Sequence, residues 1–308
     1  MKVLVVGANG FIGRHLCDGL LRDNCKVKAL VRRAHQFLAA PNLEVITGDI
    51  LKLNLDLLLD SVTHIVYLVS QSIPSRSLID PSEDFVNDVL PLVSLLERLK
   101  TQPEIHFTYL SSGGAVYGHG EEEKINETSQ LNPLSFYGAI KVSCEKFLNV
   151  YSQIYKHKIL ILRPANIYGP GQRTDGAQGL IPFLCQKLIA KESFPMFGDG
   201  KIYRDYLYVT DFVEALQLSL KKNLVGIFNV SSSEGRSINE IIEIVNNLGM
   251  GEVSIQHLPN RRFDVAKVFL NSDKIRSAIE WTPQVGLEDG IRSTFEFIYG
   301  EHVKPKAA

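Results

Sequence analysis

MKVLVVGANGFIGRHLCDGLLRDNCKVKALVRR, residues 1–33, decides the fold. An apolar run from Val3 to Val6 ends at Gly7, and glycines recur at Gly10 and Gly13. Ile12, Leu16, Cys17, Leu20 and Leu21 then fall on one helical face, and a second apolar run, Val27 to Val31, closes the unit. Strand, tight turn, helix and strand within about 30 residues make a βαβ crossover. Gly7 permits the sharp turn, Gly10 the approach of backbone to a pyrophosphate, and Gly13 the packing of helix on strand. The helix N-terminus adds unpaired N–H groups and the positive end of a dipole. The stretch is expected to cradle a dinucleotide on Gly7, Asn9, Gly10, Phe11, Ile12 and Gly13; a purely structural turn is the alternative.

The rhythm continues downstream. Leu43–Ile50, His64–Val69, Ile105–Ser112 and Lys158–Leu162 read as strands, and Phe85–Lys100 and Tyr137–Tyr155 as helices, with Pro91 marking a kink or a boundary. This alternation predicts an α/β fold, a Rossmann-like doubly wound parallel sheet covered on both faces. Past residue 165 the pattern changes. Gly169-Pro170-Gly171 interrupts it, short strands fall at Ile202–Val209 and Ile227–Ser231, Ser237 and Glu240 form a capping-box pattern, and the last helix is Leu287–Tyr299. Residues 1–165 are read as the dinucleotide-binding domain, with later segments returning to it. Residues 166–308 are read as mainly a smaller C-terminal substrate-binding lobe, with substrate in the cleft at the strands' C-terminal ends.

The bulk properties exclude other classes. The chain has 308 residues, 45% of them hydrophobic, enough for a large core. A net charge of −1 with no long basic run argues against nucleic acid as a partner. No run of about 18 apolar residues suggests a membrane span, and no leader pattern precedes the first strand. Cys17, Cys25, Cys144 and Cys185 lack C-x-x-C spacing and read as reduced thiols of a cytoplasmic protein, with no metal expected. The tail Lys304–Ala308 is expected to fray.

Tyr137-Gly-Ala-Ile-Lys141 is the sharpest catalytic candidate. Residues at i and i+4 share a helix face. An ammonium near a phenol favours the phenolate, which can take a proton from a sugar hydroxyl while hydride leaves for nicotinamide. Alone, Y-x-x-x-K is common on solvated helices. Here it follows a dinucleotide turn and a strand ending in Ser111-Ser112.

With G-x-x-G-x-x-G, SSGGAVYG at 111–118, RPANIYGPGQ at 163–172 and RDYLYV at 204–209, the whole chain resembles the extended short-chain dehydrogenase/reductases, in their nucleotide-sugar epimerase/dehydratase branch. The resemblance implies roles position by position. Asp49, with Ile50 beside it, would meet the adenine, unless Asp49 only caps a turn. Asn87 and Pro164 would contact the cofactor; Asn166, Arg204 and Arg261 would hold the substrate's phosphates, and Asp264 its ribose. The loop Ser70-Gln71-Ser72-Ile73-Pro74 stands where relatives shape the sugar pocket, and Gln71 and Ser72 could touch sugar hydroxyls or simply cap the loop. Ser111 is a further substrate-side hydroxyl, and Tyr206 and Phe197 could border the base or be buried without ligand contact.

Three departures from the family pattern matter. The hydroxyl usually three residues before the V-Y-G valine is Gly113 here, so Ser112 is expected to substitute. The acidic pair that dehydratases carry is Gly114 and Ala115, which disfavours dehydration. The Asp that usually ends the second strand is Val31, followed by Arg32 and Arg33, which leans toward NADP over NAD. The resemblance thus implies an NAD(P)-dependent nucleotide-sugar 4-epimerase working through a 4-keto sugar. The alternatives are an NADPH-dependent 4-keto nucleotide-sugar reductase and a non-catalytic dinucleotide sensor or scaffold. A homodimer through the helices around 85–100 and 137–155 is the expected assembly.

Overall fold

A computed structural model describes residues 1–33, 40–72, 80–118, 124–175, 179–259 and 267–303. The elements run β1 (Lys2–Val6), α1 (Phe11–Arg22), β2 (Lys26–Val31), β3 (Leu43–Thr47), α2 (Leu55–Leu59), β4 (His64–Tyr67) and α3 (Pro81–Asp84). A π-helical segment, Phe85–Val89, leads into α4 (Leu90–Leu99), then β5 (His106–Leu110), α5 (Gly113–Val116), α6 (Phe136–Tyr155), β6 (Ile159–Pro164) and β7 (Asn166–Tyr168). The rest is α7 (Leu180–Ile189), β8 (Phe194–Phe197), β9 (Tyr203–Tyr208), α8 (Val209–Lys221), β10 (Gly226–Val230), β11 (Gly235–Ser237), α9 (Ile238–Asn247), β12 (Ile255–Leu258), β13 (Lys267–Val268), α10 (Asp273–Ile279) and α11 (Leu287–Val303).

Seven parallel strands form the main sheet in the order β10-β6-β5-β4-β1-β2-β3. The order reverses between β1 and β4, and ligands of such sheets bind at that switch. Both faces are covered. Val3 and Val5 face a core with Leu16 of α1 and Phe212 of α8. Leu4 and Val6 face the other, with Leu92 of α4 and Leu148 of α6. A third cluster, including Tyr168, Ile181, Met196, Ile241 and Ile291, is the core of the smaller C-terminal lobe.

Several boundaries move for local reasons. β3 stops at Thr47, not Ile50, because Asp49 Oδ1 accepts the Leu51 N–H at 3.0 Å and the Asp49 carbonyl accepts Lys52 N–H at 2.8 Å, which turns the chain. β4 and β5 end at Tyr67 and Leu110, short of Val69 and Ser112, and Ser112 instead precedes α5. The helix expected over Phe85–Lys100 starts earlier, at Pro81, with Asp80 as its N-cap. Pro91 falls just after the π segment; its ring and missing N–H are poorly tolerated inside a regular helix, and a local change in winding accommodates them. β6 runs on to Pro164 and β10 joins the main sheet beside it. The capping box at Ser237 and Glu240 forms. All four cysteines are buried and unpaired. Among the described residues no helix is long and apolar enough to cross a membrane, and no group of three or more His, Cys, Asp or Glu side chains could hold a metal ion.

Candidate active site

A cleft of about 1060 Å³ opens at the C-terminal end of the main sheet. The turn after β1 forms one wall. Gly7 has φ +89°, a conformation that favours glycine. A Cβ on Gly13 would run into the Gly7 carbonyl oxygen and lie 2.8 Å from the Ala8 backbone. Gly7, Asn9, Gly10, Phe11, Ile12 and Gly13 all line the cleft at the start of the 12-residue α1. The turn thus has the closeness and the exposed helix N-terminus that a dinucleotide's pyrophosphate requires.

α6 forms a second wall. Ser135 Oγ accepts the Gly138 N–H at 3.1 Å and starts the helix, so Tyr137 stands in its first turn. Gly138 lies against the Ala115 carbonyl oxygen with no room for a side chain, which brings this turn onto α5. Lys141 Nζ lies 5.8 Å from the Tyr137 ring centroid, donates to the Leu110 carbonyl oxygen at 3.0 Å, and is nearly inaccessible. A buried ammonium thus stands beside a cleft-lining phenol.

Beneath them lies a buried polar network. Ser111 Oγ donates to Glu145 at 2.5 Å; Arg163 grips the same carboxylate through Nε and Nη2, and its Nη1 donates to Tyr117 Oη at 2.8 Å. Tyr117 donates in turn to Asn229 Oδ1 at 2.7 Å. Burial pushes the Tyr117 phenol up to about 12, against the pull of Arg163. The Ser111 hydroxyl is therefore engaged below the cleft. Ser112 faces the cleft, and its hydroxyl makes no protein hydrogen bond among the described residues. Gly113 has no space for a side chain, because Leu270 Cδ1 fills it. Gly114 and Ala115 line the cleft and offer no acid or base.

The smaller lobe completes the cleft with Arg204 and Tyr206 of β9 and Phe197 of β8; Pro164, at the end of β6, and Asn166, at the start of β7, line it too. β9 is pinned from its far side by Asp205, which accepts Ser232 Oγ at 2.7 Å and the Ser232 and Ser233 N–H groups. Burial raises that carboxyl to about 6. His15 Nε2, on α1, lies 2.9 Å from the Pro170 carbonyl oxygen and ties the following loop to the dinucleotide helix.

Other expected residues lie off this wall. Asp49 is exposed and caps its own turn; Ile50 is buried. Arg32 and Arg33 are exposed beyond the buried Val31, and Asn87 sits half-buried in the π segment. Ser72 is buried against Asp88. Arg261 and Asp264 fall outside the described residues. Ser70 and Gln71 of the loop after β4 line the cleft, as do Gln172 and Arg173, to which no role was read from the sequence. RPANIYGPGQ contained Gln172, but nothing in a linear pattern points its side chain inward.

Sheet order, glycine cradle and smaller lobe define a Rossmann-like dinucleotide-binding enzyme of the extended short-chain dehydrogenase/reductase class. Residues 3–231 match the NAD dependent epimerase/dehydratase family, and the chain belongs to that family. It is 34% identical over 308 residues to a UDP-glucose 4-epimerase of Mycolicibacterium smegmatis, covering 96% of this chain and 98% of the relative. Among solved structures it is similar to Thermus thermophilus UDP-glucose 4-epimerase in complex with NAD, with a TM-score of 0.89, 30% identity and coverage of 97% and 99%. It is also similar to Bacillus cereus UDP-glucuronic acid 4-epimerase in complex with UDP-glucuronic acid and NAD, with a TM-score of 0.90, 26% identity and coverage of 98% and 100%.

Proposed function

We propose that the protein is an NAD(P)-dependent nucleotide-sugar 4-epimerase. The observation that carries this reading is the pairing of Tyr137 with Lys141 in a cleft that also holds the glycine cradle. Tyr137 takes the proton of the sugar's C4 hydroxyl and returns it after the ring has presented its other face. Lys141, anchored on the Leu110 carbonyl, holds its side chain beside that phenol. Ser112 hydrogen-bonds the reacting oxygen in place of the hydroxyl that position 113 lacks. Asn166 and Arg204 hold the diphosphate, with a guanidinium suited to that anion. The dinucleotide, when bound, supplies the hydride acceptor for oxidation of C4 and the donor for its reversal. The glycine cradle, Tyr137, Lys141 and Pro164 hold it. Gly114 and Ala115 leave no group to expel water, so a 4-keto sugar is reduced again, not dehydrated.

The two relatives of known structure described above were solved with NAD. The exposed Arg32 and Arg33 at the end of β2 favour a second reading, an NADPH-dependent reductase of a 4-keto nucleotide sugar. UDP-glucose supplied with NAD⁺ and a UDP-4-keto sugar supplied with NADPH separate the two. Conversion to the C4 epimer with constant absorbance at the nicotinamide band supports the epimerase. Oxidation of one NADPH per keto sugar consumed supports the reductase.

The assembly proposed is a homodimer. Phe147, Val150 and Ile154 are exposed at helical spacing on α6; Val86 and Leu90 are exposed on the helix that packs beside it. Such a two-helix apolar face suits a second copy of itself.

A further inference from the structure

Ser70 follows β4, where the chain leaves the sheet, and it is exposed in the cleft. Its hydroxyl is not idle. Ser70 Oγ donates to Asp88 Oδ2 at 2.8 Å, and among the described residues its only other acceptor is the Ser72 carbonyl at 3.3 Å. One hydroxyl has one proton, and the shorter, charge-assisted bond takes it. Asp88 is 4% exposed, sits in the π segment, and also accepts the Gln71 N–H at 2.6 Å, the Ser72 N–H at 3.3 Å and the Ser72 hydroxyl. Each of these groups donates to it, so the carboxylate does not release the Ser70 proton toward the cleft. Ser70 therefore presents lone pairs only. A ligand atom beside it has to donate, which a sugar hydroxyl does and a phosphate or ketone oxygen does not.

Position makes this consequential. β4 lies between β1 and β5 in the sheet, so Ser70 stands between the glycine turn and the Ser112 wall. Val69 already touches the turn, 3.3 Å from where a Gly7 Cβ would be. We propose that Ser70, with its proton held by Asp88, is a specificity-determining acceptor for one sugar hydroxyl at the centre of the cleft. The inference rests on the nucleotide-sugar reading above. That hydroxyl belongs either to a ribose of the dinucleotide or to the pyranose of the substrate.

The test is calorimetric titration of the purified protein with NAD⁺ and with UDP-glucose, for the parent chain and for Ser70→Ala, Ser70→Thr and Asp88→Asn. Ser70→Ala is expected to weaken one ligand about tenfold, the size of one neutral hydrogen bond, with melting unchanged. Loss confined to NAD⁺ assigns the ribose, and loss confined to UDP-glucose assigns the pyranose. Ser70→Thr keeps the hydroxyl and is expected to keep the affinity. Asp88→Asn puts an amide donor against Ser70 Oγ and frees its proton to turn outward, so it is expected to weaken the same ligand. Adding Ser70→Ala to Asp88→Asn then costs no more than Asp88→Asn alone. Should Asp88→Asn fail to fold, the two Ser70 variants decide. Affinities of Ser70→Ala within about twofold of the parent for both ligands overturn the proposal. A parent chain that binds neither ligand overturns the nucleotide-sugar reading instead.

Discussion

Leu270 Cδ1 occupies the space that a side chain on Gly113 would need. Leu270 is fully buried, and the Arg163 and Pro164 carbonyl oxygens close in at 3.0 and 3.1 Å from where the Cβ would stand. The hydroxyl that the family resemblance leads one to expect at this position is thus not merely missing here; its site is filled. Gly113→Ser is expected to destabilise the fold by about 1–3 kcal/mol, the usual cost of overpacking, and to give no gain in turnover. Combined with Leu270→Ala, its cost should be less than the sum of the two single changes, because the serine then enters the vacated space. Urea titration measures this, and an unchanged midpoint for Gly113→Ser would refute it.

Val31 is buried where a ribose-binding carboxylate would stand, and Arg32 and Arg33 are exposed just beyond it. No carboxylate there repels a 2′-phosphate. The protein is therefore expected to bind NADP⁺ within about tenfold of NAD⁺. Replacing both arginines by alanine should weaken NADP⁺ by about tenfold or more and leave NAD⁺ unchanged. Competition titration reads both numbers.

His64 and His106 stack across adjacent strands with ring centroids 5.0 Å apart. Burial, then the neighbouring His64 and Lys158, push His106 down to about 4, and burial lowers His64 as well. The unfolded chain, with histidines near 6.5, binds more protons than the folded one between these values. Stability from the neutral pair is therefore complete above about pH 6.5 and is lost as pH falls toward about 4. Asp205, raised to about 6, acts in the opposite sense in an overlapping range. The histidine contribution is read as a difference: the melting temperature of the parent should fall more steeply than that of His106→Gln as pH drops from 7 to 5. Parallel curves would contradict it.

Ile154 and Leu90 lie in the exposed apolar face of the paired helices. Ile154→Asp with Leu90→Glu is expected to shift the protein from dimer to monomer in sedimentation velocity. A parent that already sediments as a monomer would exclude the dimer.

The glycine turn and the Tyr137–Lys141 pair were legible because each is a short-range pattern. Three glycines and a helix start are set by local backbone geometry, and residues four apart on a helix share a face. The other features depend on residues far apart in sequence. Ser72 and Ser70 look alike in the loop after β4; that both hydroxyls meet Asp88 of the π segment, and that Ser72 is buried there while Ser70 lines the cleft, is set by residues far along the chain. Ser111 looks available in the sequence, but Glu145 of α6, itself gripped by Arg163 of β6, engages its hydroxyl. The missing side chain at Gly113 is visible in the sequence, but its cause, Leu270, lies far away in the chain, among segments of the C-terminal half. Strand ends were overrun where Asp49 folded the chain back, since apolar residues such as Ile50 also serve turns.

Tyr137 is the group on which the proposed chemistry turns. The most direct measurement is the rate of C4 epimerisation of UDP-glucose by Tyr137→Phe, taken alongside its melting temperature and its affinity for NAD⁺. A fall in turnover of about 10²- to 10⁴-fold, with fold and affinity retained, is expected of a lost general acid–base. Turnover within about threefold of the parent would contradict the assignment of proton transfer to Tyr137.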